Sequence, residues 1–245
     1  MNIVDIEILT RLLTNTDTTS LSAPNLLILD NKYYEEIVGR IISETAGSKW
    51  QFGDFNYAAF PSFTRDMTNS TAEYALRDWG TTDDETILTI MGVEVLDNNG
   101  IFHPLKRITL KEIQSGGTAQ SEYSKTDGIP QEYELRDNFI ILYPAPDNGV
   151  NVTLSAGLKV FHLRTADKFT SSEVSTGTKE PGFPSPWHWL MSYGPAYDYA
   201  DAANLPNANR LGAKYEKGLQ EMLDFISRRD QAENYKFIAK AKSFR

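Results

Sequence analysis

The sequence predicts an α+β chain: a helical bundle built from N- and C-terminal helices, with an antiparallel β-domain inserted between them. Two changes of hydrophobic period carry that expectation. Apolar residues recur at helical spacing over the first 50 residues and again after Ser185, whereas between Ile87 and Phe161 they alternate every second position. The order helices, sheet, helices, without an internal repeat, fits a helical layer that the chain leaves and rejoins. The expected division is 1–80 for N-terminal helices plus an aromatic-rich extended segment, 81–165 for the β-domain, 166–227 for C-terminal helices and 228–245 for a basic C-terminal arm.

The elements follow in order. Ile8, Leu9, Leu12 and Leu13 fall at helical spacing. After the break SLSAPN (20–25), Leu29, Tyr33, Ile37, Ile41 and Ile42 form an apolar stripe, and Gly47 supplies a stop signal. From Trp50 to Tyr74 rings abound without a helical period, which predicts extended segments held by ring burial. Strands are expected at 87–96, 106–113, 132–136, 139–144 and 151–161. The last alternates best: Val152, Leu154, Ala156, Leu158 and Val160 interleave with polar or small residues. Asp147-Asn148-Gly149 predicts a hairpin joining the last two strands, and Asn98-Asn99-Gly100 a similar turn after the first. Gly116–Gly128 reads as a polar loop. Beyond Ser185, Trp187, Leu190, Met191 and Tyr197 share a helix face, with a kink expected at Pro195. Asn207 is an expected N-cap for a final helix carrying Leu211, Tyr215, Leu219, Met222 and Ile226 on one stripe.

Composition excludes several classes. The 245 residues include no cysteine, 24 basic and 33 acidic side chains, for a formal charge of −9. Disulfides, thiol catalysis and cysteine-ligated zinc are therefore out of reach, in keeping with assembly inside a cell. The longest aliphatic run, Leu26-Leu27-Ile28-Leu29, falls far short of the ~18 residues of a membrane span, and MNIVDIEILTR lacks the basic start of a secretory leader. The charge is uneven. Residues 228–245 hold six basic and two acidic side chains, a +4 tail that leaves −13 on the rest.

The sequence carries few marks of catalytic or metal chemistry. His103, His162 and His188 lie far apart in sequence, with no ligand spacing among them. No Gly-x-Ser-x-Gly elbow occurs, and Ser115-Gly116-Gly117-Thr118 lacks the lysine of a phosphate loop. Asp83-Asp84-Glu85 and Glu132/Glu134 pair carboxylates; a hydrolase would require Glu132 or Glu134 to meet a second carboxylate or a histidine. The sequons at Asn69 and Asn151 carry no weight without a leader. The rings Trp50, Phe52, Phe55, Tyr57, Phe60 and Phe63 fit either core packing or, as the alternative function, a β-sandwich carbohydrate-binding or adhesion module. No catalytic residue, cofactor or metal ligand is predicted.

Several segments in order resemble the head–tail connector (neck or portal adaptor) proteins of tailed bacteriophages. They are KWQFGDFNYAAFP (49–61), MTNSTAEYAL (67–76), MGVEVLDNNGIFHPLKRI (91–108) and GIPQEYELRDNFIILYPAPDNGVNVTLSAGLKVFHLRTADKFT (128–170), followed by EPGFPSPWHWLMSYGPAYDYA (180–200). The resemblance spans about residues 25–230; the first 20 lie outside it. It implies a non-enzymatic virion protein forming a ring, usually twelve-fold, beneath the portal at the capsid–tail junction. The helical bundle would face the portal and the β-domain a further neck or tail protein. Double-stranded DNA would pass through without specific binding, and no membrane would be involved. It also implies that the C-terminal arm inserts into the portal. On this chain the arm is Arg228, Arg229, Tyr235, Lys236, Phe237, Ile238, Lys240, Lys242, Phe244 and Arg245, where cations and apolar groups interleave.

Overall fold

In a computed structural model of the chain, the residues described are 1–45, 54, 62–76, 87–109, 111, 127–147, 149–177 and 179–231. The fold is α+β, as expected, and the chain divides into two units: Met1–Ala58 with Thr165–Arg245, and Ala59–Arg164. The β unit thus opens at Ala59 rather than at 81, because two short strands before residue 81 belong to its sheets.

The first unit contains α1 (Ile3–Thr14), α2 (Ala23–Thr45), a short α3 (Ser171–Thr176), α4 (Leu190–Ala202) and α5 (Ala208–Gln231). At the start of α1 the Asn2 side chain accepts from the Asp5 amide at 2.9 Å, while the Asp5 carboxylate accepts from the Asn2 amide at 3.3 Å. This reciprocal cap satisfies two amides that no helical carbonyl reaches. Asn15 ends the helix at φ 53°, a left-handed position that asparagine tolerates. The same reciprocal cap at Thr170 and Glu173 opens α3, an element the periodicity did not predict because six residues are too few to show one.

The stripes are largely as expected. In α5, Leu211, Tyr215, Leu219, Met222 and Ile226 are all buried. In α2 the buried face is centred on Leu26, Tyr33, Tyr34, Ile37, Val38 and Ile41, and Leu29 and Ile42 lie at its edge. Pro195 lies within α4. Asn207 precedes α5: its carbonyl accepts from the Leu211 amide at 3.1 Å, but its side chain donates to the Leu13 carbonyl at 3.1 Å, so it ties α5 to the end of α1.

One face differs from expectation. In α1 the buried residues are Ile3, Ile6, Glu7, Thr10 and Thr14, whereas Ile8 is 60 % and Leu12 76 % exposed. Threonine is tolerated inside because each hydroxyl donates to a carbonyl one turn back, Thr10 to Ile6 at 2.9 Å and Thr14 to Thr10 at 2.9 Å. Ser192 of α4 donates to the Ile6 carbonyl as well, at 3.1 Å, so α1 and α4 meet through small self-satisfied groups.

Sequence-distant halves are joined by polar links through α2. Asn31 donates to and accepts from Phe169 at 2.9 and 2.8 Å, Tyr33 donates to Asp198 at 2.7 Å, and Tyr34 donates to Asp54 at 2.6 Å while accepting from the Gly182 amide at 2.8 Å. The helices also approach through glycine. A Cβ at Gly194 of α4 would fall 2.6 Å from Tyr33 Cε1, and that ring is held by Asp198 and by an edge contact with Tyr215 at 5.1 Å. Gly194→Ala is therefore expected to lower stability by about 2–3 kcal/mol through overpacking. Gly39→Ala, in α2, meets nothing within 4 Å and is expected to raise it by about 0.5–1 kcal/mol. Urea midpoints of the two variants moving in the same direction would refute this packing account.

The second unit holds two four-stranded sheets. One has the order β1 (Ser62–Arg65), β8 (Leu158–Arg164), β3 (Ile87–Leu96), β4 (Phe102–Pro104); the other has β2 (Glu73–Ala75), β7 (Phe139–Tyr143), β6 (Glu132–Arg136), β5 (Lys106–Arg107). Pairing is antiparallel except between β5 and β6. Ile90, Val93, Val95, Leu158 and Val160 of the first sheet share one core with Tyr74, Tyr133, Ile140 and Leu142 of the second. The Asn98-Asn99-Gly100 turn joins β3 to β4, with Gly100 at φ 81°.

The second expected hairpin is not formed. The Asp147–Gly149 turn is present, with the Gly149 amide donating to the Asp147 carbonyl at 2.7 Å, but β7 and β8 belong to different sheets. Residues 151–157, expected as strand, carry the chain from one sheet to the other. Val152 bridges Asp97, the Met67 amide donates to Leu154 at 2.7 Å, and Ala156 takes φ 49°. Alternation alone continues through such a crossing because Val152 still faces the core, so β8 starts only at Leu158. The expected strand 106–113 reduces to Lys106–Arg107 among the described residues; the flanking amides bond in opposite directions, Leu105 to the Val93 carbonyl of β3 at 2.8 Å and Ile108 to the Tyr133 carbonyl of β6 at 2.9 Å.

Candidate functional site

The residues expected to bind a portal lie at and beyond the end of α5. That helix continues through Gln231, so Arg228 and Arg229 extend it rather than opening a separate arm at 228. The reason is visible in its stripe, whose burial persists to Ile226 and supports the last turns. Arg228 is exposed. Tyr235, Lys236, Phe237, Ile238, Lys240, Lys242, Phe244 and Arg245 lie outside the described residues.

Outward-facing apolar groups occur in the same unit. Ile8 and Leu12 share one face of α1, Ile28 projects from α2, and Phe225, beside Trp187 at 6.5 Å, is 54 % exposed on α5. Isolated exposed leucines are ordinary, but α1 exposes Ile8 and Leu12 one turn apart on one face while burying Thr10 and Thr14 on the other, which is unusual for a surface in contact with water alone.

The histidines have separate neighbours. His103 contacts Asp97 at 2.9 Å, and this bond together with the Ile101 and Asn99 amides holds the Asp97 carboxyl down at about 2. His162 is buried against Phe63 at 5.0 Å. His188 donates from Nε2 to the Phe183 carbonyl at 2.7 Å, with Nδ1 3.1 Å from the Met1 amino group; burial, the largest cause, holds it below the usual imidazole range. Among the described residues no three histidines or carboxylates gather in a way that could hold a metal ion.

Glu132 and Glu134 each have a cation. Lys106 lies 3.6 Å from Glu132, and Arg136 donates to Glu134 at 2.7 Å, with the Tyr143 hydroxyl donating to the same oxygen at 3.1 Å. Each is thus held in a local ion pair on the sheet. Asp83-Asp84-Glu85, the Ser115–Thr118 loop and the rings Trp50, Phe52, Phe55, Tyr57 and Phe60 lie outside the described residues; Phe63 sits on β1.

Sequence reasoning passed over a buried acidic pair. Asp30 is fully buried in the α2 stripe, and among the described residues neither carboxylate oxygen has a hydrogen-bond partner; Glu7 Oε1 on α1 is in the same condition. Burial, then the charge of Glu7, raises Asp30 well above the usual carboxylate range, and burial raises Glu7 against the pull of Arg11. The signal was present in the spacing Leu26-Asp30-Tyr33-Ile37, which puts the carboxylate on the apolar face. Among the described residues no helix is long and apolar enough to cross a membrane. Compared with known proteins, the chain matches no family model and no curated sequence.

Proposed function

We propose that this chain is a non-enzymatic structural subunit of a tailed-phage virion, a head–tail connector that forms a ring, twelve-fold in the family it resembles, between a portal and a further neck or tail protein. The helical unit acts as the bundle against the portal, the Ala59–Arg164 unit projects toward the distal partner, and the C-terminal residues Tyr235–Arg245 dock into the portal. The observation that carries this reading is the organisation of the chain: residues from both ends close on one helical core, and a two-sheet unit is inserted between them. The outward Ile8 and Leu12 add support, since a ring subunit must bury apolar surface against its neighbours. An acidic body repels phosphates and lets DNA slide through a channel, while the cations serve a protein partner.

Electron microscopy of the purified full chain, alone and mixed with a portal, tests the reading: closed rings are expected in at least one sample. Deletion of Lys236–Arg245 is expected to leave thermal stability unchanged and to abolish attachment to the portal. A strictly monomeric protein without portal affinity refutes the assignment, and unchanged attachment after the deletion refutes the role of the arm.

A further inference from the structure

Asparagine followed by glycine is a chemically labile step, because glycine has no Cβ to hinder the approach of its amide nitrogen to the preceding side chain. The chain has two such steps, Asn99-Gly100 and Asn148-Gly149. The first is exposed at the turn between β3 and β4, with Gly100 at φ 81°. In the reaction of such a step, the Gly100 nitrogen gives its proton to water and bonds to Asn99 Cγ. The Cγ–Nδ2 bond breaks, ammonia leaves, and a succinimide closes. Water then reopens the ring to aspartate or isoaspartate, so one water is consumed for each ammonia released.

Each group that has to move is held by one residue, the buried Asp97. The Gly100 amide donates to the Asp97 carbonyl at 3.2 Å, and the Asn99 amide donates to Oδ1 of its carboxylate at 2.8 Å. The Asn99 side-chain nitrogen stands 3.5 Å from Oδ2. Beyond Gly100, the Ile101 amide also donates to Oδ1, at 2.8 Å. To attack, the Gly100 nitrogen must swing off the Asp97 carbonyl toward Cγ, and these bonds oppose that rotation from both sides of the peptide.

Asp97 is itself fixed from outside the turn. The Thr153 hydroxyl donates to its carbonyl at 2.8 Å, and His103 Nε2 lies 2.9 Å from Oδ2. His103, with the Ile101 and Asn99 amides, keeps the carboxyl at about 2, so it is ionised at neutral pH and accepts strongly. The turn is anchored as well: Asn98 donates from its amide to the Asn151 carbonyl at 3.1 Å and from its side chain to the Val150 carbonyl at 3.0 Å.

We propose that Asn99-Gly100 is a latent site of succinimide formation, and that Asp97 is the positioning residue whose hydrogen bonds hold the turn in an unreactive shape. Failure of that hold has consequences. Either product puts a second carboxylate beside Asp97, and isoaspartate adds a methylene to the main chain between strands that pair Leu96 with Phe102 and Val95 with His103. The assignment is independent of the connector reading.

The test incubates the full chain at neutral pH and follows aspartate and isoaspartate at residue 99 by peptide mass spectrometry, with Asn148-Gly149 as internal reference. In the native wild type, residue 99 is expected to convert at least about tenfold more slowly than in the urea-unfolded chain. Asp97→Ala is expected to remove most of that protection at residue 99 and to leave residue 148 at its wild-type rate. Asp97→Asn keeps an oxygen acceptor without the charge and is expected to fall between the two. The internal reference separates loss of this hold from general unfolding, which speeds both sites. Native wild type converting at the unfolded rate, equal rates in wild type and Asp97→Ala, or equal acceleration at residues 99 and 148 in Asp97→Ala each overturn the proposal.

Discussion

Gly157→Ala is expected to be among the most disruptive single substitutions in the β unit, lowering its stability by about 3 kcal/mol or more. Gly157 ends the crossing between the two sheets. A Cβ there would collide with the backbone carbonyl of Thr153 and fall 2.7 Å from the Met67 methyl group. The side chain can move, but the carbonyl cannot without disturbing its neighbours, since the Thr153 amide donates to Leu96 at 2.9 Å and its hydroxyl donates to Asp97 at 2.8 Å. The neighbouring Leu96 amide donates in turn to the Gly157 carbonyl at 2.8 Å, so the tight approach is also what places β8 in register beside β3. Gly92→Ala, in β3, is the control: a new Cβ meets only Phe161 at 3.9 Å, and the change is expected to stay within about 1 kcal/mol. Amide exchange across Leu158–Arg164 reads both variants. Protection in Gly157→Ala equal to that in Gly92→Ala would show that the crossing yields easily.

The second large effect is electrostatic. Asp30 is fully buried, without a hydrogen-bond partner among the described residues, and raised by burial and by Glu7 against the pull of Arg11. A folded-state pKa above the unfolded one means that the folded state holds its proton where the unfolded chain has released it. Stability is therefore complete below about pH 4, falls as pH rises toward the folded value, and levels off above it. Asp30→Asn removes that titration while keeping the shape. It is expected to flatten the stability curve above pH 4 and to exceed the wild type at pH 8 by upward of about 1.4 kcal/mol, the free energy of one unit of pKa, because asparagine holds no proton that the unfolded chain releases. Chemical denaturation at a series of pH values, with the exposed Asp201→Asn as control, measures this; parallel curves for wild type and Asp30→Asn would refute the account. Glu7 titrates in the same direction and remains in the variant, so a residual slope is expected. His188 works oppositely, since its depressed pKa removes stability as pH falls below about 6.5, and the two slopes are separable by pH window.

The acidic site features were legible to different degrees. Asp30 sits at helical spacing within an apolar stripe, and reading the stripe for its apolar members alone hid it. What holds Asn99-Gly100 was legible only in part. The turn itself was, but the Thr153 hydroxyl on the Asp97 carbonyl comes from the crossing between the sheets, and only packing brings it there. The pairing of Glu132 with Lys106 was similarly hidden, because it depends on β5 lying parallel to β6.

The α+β class, most element positions and the outer limits of the chemistry follow from the order of residues alone. The 3.6-residue stripes of α2 and α5 and the alternation along β8 are local consequences of which side chains tolerate water, and they survive in any packing that buries one face. The absence of cysteine and the split of charge are matters of composition. Packing sets which strands share a sheet, that residues 151–157 cross between sheets instead of forming a hairpin with β7, and that α1 buries Thr10 and Thr14 while exposing Ile8 and Leu12. The physical reason is the same in each case. Periodicity reports that an element has an inside, whereas the neighbour it meets is set by close approach, by the room at Gly157 and Gly194, and by hydroxyls that satisfy themselves on their own helix.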